Sequence, residues 1–315
     1  MIPPLVFYLL VIVLSLIILV KSSDYLLQGV SRYARELGLS TYIIGILVVS
    51  LAASVPETIS SLVGGSIGSA EIAFGTLIGT NVAHIFFVFG VLAIFGKKLD
   101  LKCEILHKSK LMIMLLAVAP FVLIFDGELS RLDGLLLLGL FGFYLFVLWR
   151  KEGSMGHLKK NVQLKNIWKD GLLFLMAFVA LTLGARWLVT GVEELSGLVA
   201  LSPLFLAAVV LAWGDSLSDL SVSIKSVQRK EAKIGVGDIL GSTMANFLFG
   251  LGLVSLIYPL KISFISLLPL TVFSLGGLGI FLLFIRKGSI NWKHGVALLS
   301  GYLIFVIWQA KWLIK

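Results

Sequence analysis

Shifted by 162 residues, this chain of 315 residues lies on itself without a gap. Gly29 falls on Gly191, Glu57 on Asp219, Gly75 on Gly237, Gly79 on Gly241 and Gly90 on Gly252. The stretch AASVPET at 52–58 lies on GDSLSDL at 214–220, and GTLIGTNVAHIFFVFG at 75–90 lies on GDILGSTMANFLFGLG at 237–252. Two copies of one pattern imply two similar halves, and a shared site is expected where the copies meet. Each half places one acid, Glu57 or Asp219, at the same position.

The chain is 58% hydrophobic, above the share usual in soluble domains. A membrane span takes about 20 apolar residues. The sequence supplies ten such stretches, roughly 3–37, 41–67, 70–96, 108–125, 131–150, 168–196, 202–229, 232–258, 262–286 and 292–313. The expected fold is an all-α polytopic membrane protein of ten transmembrane helices, with no room for a soluble catalytic module. The one sizeable hydrophilic stretch, 150–169, separates a first five-helix repeat at 1–150 from a second at 169–315, with 151–168 as linker. Five is odd, so the second half enters the membrane from the opposite side. The halves are then inverted repeats about an axis in the membrane plane, as in many transporters.

A net charge of +9 would suit nucleic acid, but its distribution argues for topology instead. Twenty lysines and arginines fall on the loops after spans 1, 3, 5, 7 and 9, the linker included, and four (Arg131, Lys261, Lys311 and Lys315) fall on the other side. Lys21 and Arg186 lie within spans. The positive-inside rule makes the charged side and the linker cytoplasmic and puts both termini outside. Attraction to anionic lipid is a side effect. The expected location is the cell membrane, with no nucleic-acid or protein partner and a functional monomer. Cys103 is the only cysteine and sits on a cytoplasmic loop, which excludes a disulfide within the chain. The N-terminus shows neither a basic n-region nor a small-residue cleavage pattern, so the first span is expected to be retained.

Polar groups recur near the middle of four paired spans: Glu57 on span 2, His84 on span 3, Asp219 on span 7 and Asn246 on span 8. Ionisable residues at that depth mark ion or substrate paths. In Ser54-Val55-Pro56-Glu57 the proline removes a backbone donor and clashes one turn back. Carbonyls around Ala52 and Ala53 are then free to face a cation, beside the Ser54 hydroxyl and the Glu57 carboxylate. Oxygen-only coordination suits hard ions such as Ca2+ and Na+. The competing reading is a kinked span whose Glu57 is protonated or lines water. In Gly214-Asp215-Ser216-Leu217-Ser218-Asp219 there is no proline, but Gly214 permits a local break. Asp215 and Asp219 share a helical face. Their repulsion calls for a divalent ion, two monovalent ions or a proton, unless Asp215 pairs with Arg186 on span 6. Gly75 and Gly79, like Gly237 and Gly241, have the small-xxx-small spacing of close helix contacts. They bring Thr80, His84, Ser242 and Asn246 towards the interrupted helices. Asp238 lies nearer the cytoplasmic end of its span and reads as an access-path or structural residue.

Enzymatic readings lack their motifs. The chain has no G-x-S-x-G elbow, H-E-x-x-H or P-loop. Ser54, His84 and Asp219 make a triad only on paper, and a hydrolase has no use for a duplicated acid.

SVPE at 54–57, GDSLSD at 214–219 and the two G-x-x-x-G-[ST] helices resemble the α-repeats of the sodium/calcium exchanger family. The resemblance covers both halves. It implies eight helices packed around the site, with spans 1 and 6 sliding against them, and alternating-access exchange of Ca2+ for Na+. The transported ions are then the only ligands, with no cofactor. The family's repeat acids fall on Glu57 and Asp219, its motif serines on Ser54 and Ser216, and its third- and eighth-helix hydroxyls on Thr80 and Ser242. Three positions depart from the pattern. The usual threonine is Ala53 in one half and Asp215 in the other, the second proline is Ser218, and the usual Asn or Asp is His84 or Asn246. The carboxylate count thus remains three, rearranged. Histidine changes charge near neutral pH, so His84 favours the alternative of a proton-coupled Ca2+ or other divalent-cation antiporter. The sequence around Glu57 and Asp219 favours sodium.

Overall fold

The computed structural model describes residues 3–36, 50–96, 98–100, 104–152, 167–228 and 232–310. The chain is mostly helical. Helix α1 is Pro4–Glu36, α2 Ser50–Ala53, α3 Val55–Ser66 and α4 Ala70–Phe95. Strand β1 (Lys98–Asp100) leads to α5 (Glu104–Leu123), and β2 (Glu128–Leu129) to α6 (Arg131–Glu152). The second half starts with α7 (Ile167–Val199). Helix α8 covers 203–228, of which Ala212–Gln228 is regular α-helix, and α9 covers 232–257. Then follow β3 (Leu260–Lys261), α10 (Phe264–Lys287), β4 (Ser289–Asn291) and α11 (Trp292–Ala310). The expected linker and the loop holding Cys103 lie outside the described residues.

Among the described residues six helical stretches are long and apolar enough to cross a membrane: Pro4–Leu26, Ala70–Phe95, Arg131–Leu148, Gly171–Val199, Gly235–Ile257 and Phe264–Lys287. Pro203–Leu217 is a shorter apolar one. Their burial sorts them into layers. The apolar windows of α4 and α9 are each 83% buried, whereas that of α1 is 22% buried. Large apolar side chains such as Leu14, Leu132, Phe146 and Leu172 cover the outside. A surface this apolar suits lipid, not water.

The 162-residue offset survives in the backbone. Helices α1 and α7 both have 33 residues. Helices α4 and α9 each widen into a π-turn, at Ala83–Val88 and Ala245–Gly250, positions that superpose under the shift. Strand β1 pairs antiparallel with β4, and β2 with β3. Helix α10 runs from β3 to β4, and its 24 residues span about 36 Å at 1.5 Å each. The two small ladders therefore cap opposite ends of the molecule. Each half also reaches into the other: the end of α4 crosses α11, and the end of α9 crosses α6.

Glycines permit these crossings. A Cβ on Gly134 would meet the Gly252 carbonyl at 2.7 Å, and one on Gly295 would meet the Gly90 carbonyl at 2.6 Å. Helix α1 lies antiparallel along α7, with Gly184 against Ile18 and Leu19 and Gly191 against Val11 and Ile12. Together with α3 and the start of α8 this pair forms a second apolar cluster, apart from the main core around α4, α9 and α10.

Candidate cation site

The site begins where the second expected span is interrupted. Helix α2 ends at Ala53, Ser54 is a turn, and α3 restarts at Val55 with Pro56 in its first turn. Proline suits a helix start and breaks a helix interior. The Ser54 carbonyl takes the Thr58 N–H at 3.1 Å and the Thr58 hydroxyl at 2.7 Å. This restart buries Glu57 in the first turn of α3.

The second half achieves its irregularity differently. The break that Gly214 permits is not used, and α-helix runs unbroken through Asp215, Ser216 and Asp219. With Ser218 where the first half has Pro56, nothing removes a backbone bond there. The irregular stretch lies upstream, as a π-turn at Leu206–Leu211. Gly214 instead accommodates Leu16 of α1, whose side chain fills the space of a Cβ. As the glycine spacing suggested, α4 lies hard against this π-turn. A Cβ on Gly75 would be 2.7 Å from that of Ala207, and one on Gly79 would be 2.5 Å from the Ala208 Cα.

These contacts gather the polar groups. Glu57, His84 and Asp219 are buried and each offers a ligand atom within 4.8 Å of the others. His84 Nε2 lies 2.6 Å from Asp219 Oδ2, within ion-pair distance. Glu57 Oε2 is buried without a hydrogen-bond partner. Asp215, one turn before Asp219, is buried too, while Arg186, the partner considered for it, is exposed on α7.

The hydroxyls share one geometry. Thr80 donates to the Thr76 carbonyl, Ser216 to that of Ala212 and Ser242 to that of Asp238, each at 2.7 Å. Each hydrogen is turned back onto its own helix, which leaves the oxygen lone pairs to face outwards. Ser242 Oγ also lies 3.3 Å from His84 Nδ1. Asn246 donates its amide to Asn81 Oδ1 at 3.0 Å, and Asn81 donates to the Thr243 carbonyl at 3.3 Å. The Asn246 Oδ1 remains without a partner. Ser54 is buried beside Glu57.

Two further buried polar residues are Asp238 and Asn81. Asp238 has no hydrogen-bond partner on either carboxylate oxygen. Its place nearer the span end suggests an access-path or structural role. Asn81 bridges the two halves. Its signal was available in its position three residues before His84, on the same helical face.

The sodium/calcium exchanger protein family model matches residues 7–150 and 170–311. The inner membrane protein YrbG of Escherichia coli is 30% identical over 265 residues, 79% of either chain. The sodium/calcium exchanger MaX1 of Methanosarcina acetivorans is 26% identical over 340 residues, 95% of this chain and 97% of that one. Among solved structures, the sodium-calcium exchanger NCX_Mj soaked with 2.5 mM Na+ and 1 mM Sr2+ is similar with a TM-score of 0.70 at 26% identity, over 98% of this chain and 99% of that one. With both halves matched, this integral membrane protein belongs to the sodium/calcium exchanger family.

Proposed function

We propose that the protein is a secondary antiporter that exchanges Ca2+ for Na+ across the cell membrane by alternating access. Its ten helices, in two inverted repeats, place both termini outside. One observation carries the reading: buried acids at equivalent positions of the two halves, Glu57 and Asp219, converge on one point. The relatives add support, since MaX1 and NCX_Mj are both named as sodium/calcium exchangers.

The ions are held chiefly by Glu57 and Asp219, with Asp215 supplying a further carboxylate. Ser54, Ser216, Thr80 and Ser242 add hydroxyl oxygens, Asn246 an amide oxygen, Ala53 a main-chain carbonyl and His84 its ring. Negative charge collected in a low-dielectric interior binds a divalent ion or several monovalent ones in its place. Because either cargo neutralises the same acids, only one is held at a time, and exchange follows.

Proton coupling is the second reading. The contact of His84 with Asp219 favours it, because a proton between them would neutralise the pair. Uptake of radioactive Ca2+ into proteoliposomes under separately imposed Na+ and H+ gradients tests both. Uptake driven by an outward Na+ gradient alone is expected. Uptake driven only by protons would overturn the sodium assignment.

A further inference from the structure

Hard cations ask for oxygen, yet one ligand-bearing side chain at the centre of this cluster is an imidazole. Resting on the reading of the cluster as the transport site, we propose that it also takes first-row divalent transition ions of the Mn2+ to Zn2+ series as substrates. The ligands are His84 Nε2 and the carboxylates of Glu57 and Asp219.

The spacing fits one ion. The three ligand atoms lie within 4.8 Å of one another. Ligands about 2.1 Å from a common ion sit at most about 4.2 Å apart, so the set closes with side-chain shifts of under about 1 Å.

The hydrogen bonding allows the required tautomer. The Ser242 hydroxyl has backbone acceptors in the Asp238 carbonyl at 2.7 Å and that of Ile239 at 3.3 Å. Ser242 Oγ, 3.3 Å from His84 Nδ1, is then open to accept from it. With the ring hydrogen on Nδ1, Nε2 presents its lone pair to the cluster. A hydrogen bond at the far nitrogen is how metal-binding histidines are oriented and made more basic.

Nε2 faces two buried carboxylates. It stands 2.6 Å from Asp219 Oδ2, and the buried Glu57 Oε2 has no hydrogen-bond partner. A buried carboxylate oxygen without a donor costs free energy. One divalent ion among the three atoms removes that penalty. Imidazole suits Zn, Cu, Fe and Ni, whereas carboxylate suits Mg, Ca and Mn. A mixed set of one nitrogen and two carboxylates favours ions that accept both. The second half cannot supply another ring nitrogen, because the counterpart of His84 is Asn246.

The test uses the full-length purified protein with Mn2+ as probe. Pulsed electron paramagnetic resonance of bound Mn2+ is expected to show nitrogen hyperfine coupling from one imidazole, absent in His84→Asn. In proteoliposomes the concentration of Mn2+ that halves Ca2+ uptake is compared with that of unlabelled Ca2+. His84→Asn is expected to lower this preference for Mn2+ by roughly tenfold or more, on the scale of metal-site perturbations. Should His84→Asn fail to fold, the coupling is read in a chain whose His107, His157 and His294 are glutamine, where only His84 can produce it. Bound Mn2+ without nitrogen coupling, or an unchanged preference in His84→Asn, overturns the proposal. Na+-driven Ca2+ uptake by the same vesicles separates the two readings. Ca2+ exchange without nitrogen coupling sinks this inference alone, and nitrogen coupling without Ca2+ exchange sinks only the earlier one.

Discussion

Asn81 on α4 gives its side-chain amide to the main-chain carbonyl of Thr243 on α9, the residue 162 positions further on and its own counterpart in the second half. Positions that touch their counterparts lie beside the axis relating two copies. The axis of the duplication therefore passes between α4 and α9, one turn from His84 and Asn246. This is why one site, and not two, results from two copies of the motif.

That bridge should matter for stability. Asn81→Leu keeps the approximate volume but removes the bonds to Thr243 and Asn246. A buried polar group left unpaired costs about 1–3 kcal/mol. The melting temperature of the purified protein is expected to fall by several degrees. An unchanged melting temperature would mean that water or lipid replaces the bond.

Glu57→Gln and Asp219→Asn should each remove nearly all ion exchange. Both substitutions keep shape and delete one charge at a low-dielectric site. Stability is expected to move the other way. Glu57 and Asp219 are buried close together, so replacing one by a neutral amide removes a buried acid from the ion-free protein. Thermal melts without Ca2+ or Na+ should show an equal or higher transition for the variants. Near-normal vesicle uptake by either would remove the shared site.

Asp238 gives a sharper test of the cluster's extent. If its unpartnered oxygens face the ions, Asp238→Asn changes the apparent Ca2+ affinity several-fold, as loss of one ligand does. An unaltered Ca2+ dependence of uptake would return it to a structural role. Asp215→Asn is expected to change affinity or coupling as well. Adding Arg186→Gln tests the alternative: recovery of what Asp215→Asn loses would make Asp215 a partner of Arg186, and no recovery keeps it in the site.

Much of this arrangement was legible from residue identities. The 162-residue offset announced the halves, the glycines at 75 and 79 announced the close contact with α8, and Pro56 announced the interruption before Glu57. The π-turns were not legible. A widened turn is a change of hydrogen-bond register, chosen by the packing of neighbouring helices, and apolar runs such as AHIFFV and ANFLFG carry no mark of it. The unbroken helix at Gly214 has the same cause. Glycine permits a break without requiring one, and the space it leaves went to Leu16.

The orientation in the membrane rests on charge alone, so it needs a test independent of transport. Twenty basic residues on one side against four on the other favour both termini outside. Cys103 lies outside the described residues, but as the only cysteine of the chain it is a unique label site. Its loop follows α4 and carries Lys97, Lys98 and Lys102, so a cytoplasmic position is expected. A membrane-impermeant maleimide added outside sealed right-side-out vesicles should leave Cys103 unmodified, and permeabilising the vesicles should expose it. Cys103→Ser controls for background labelling. Modification in intact vesicles would invert the assignment, and with it the side from which each repeat opens.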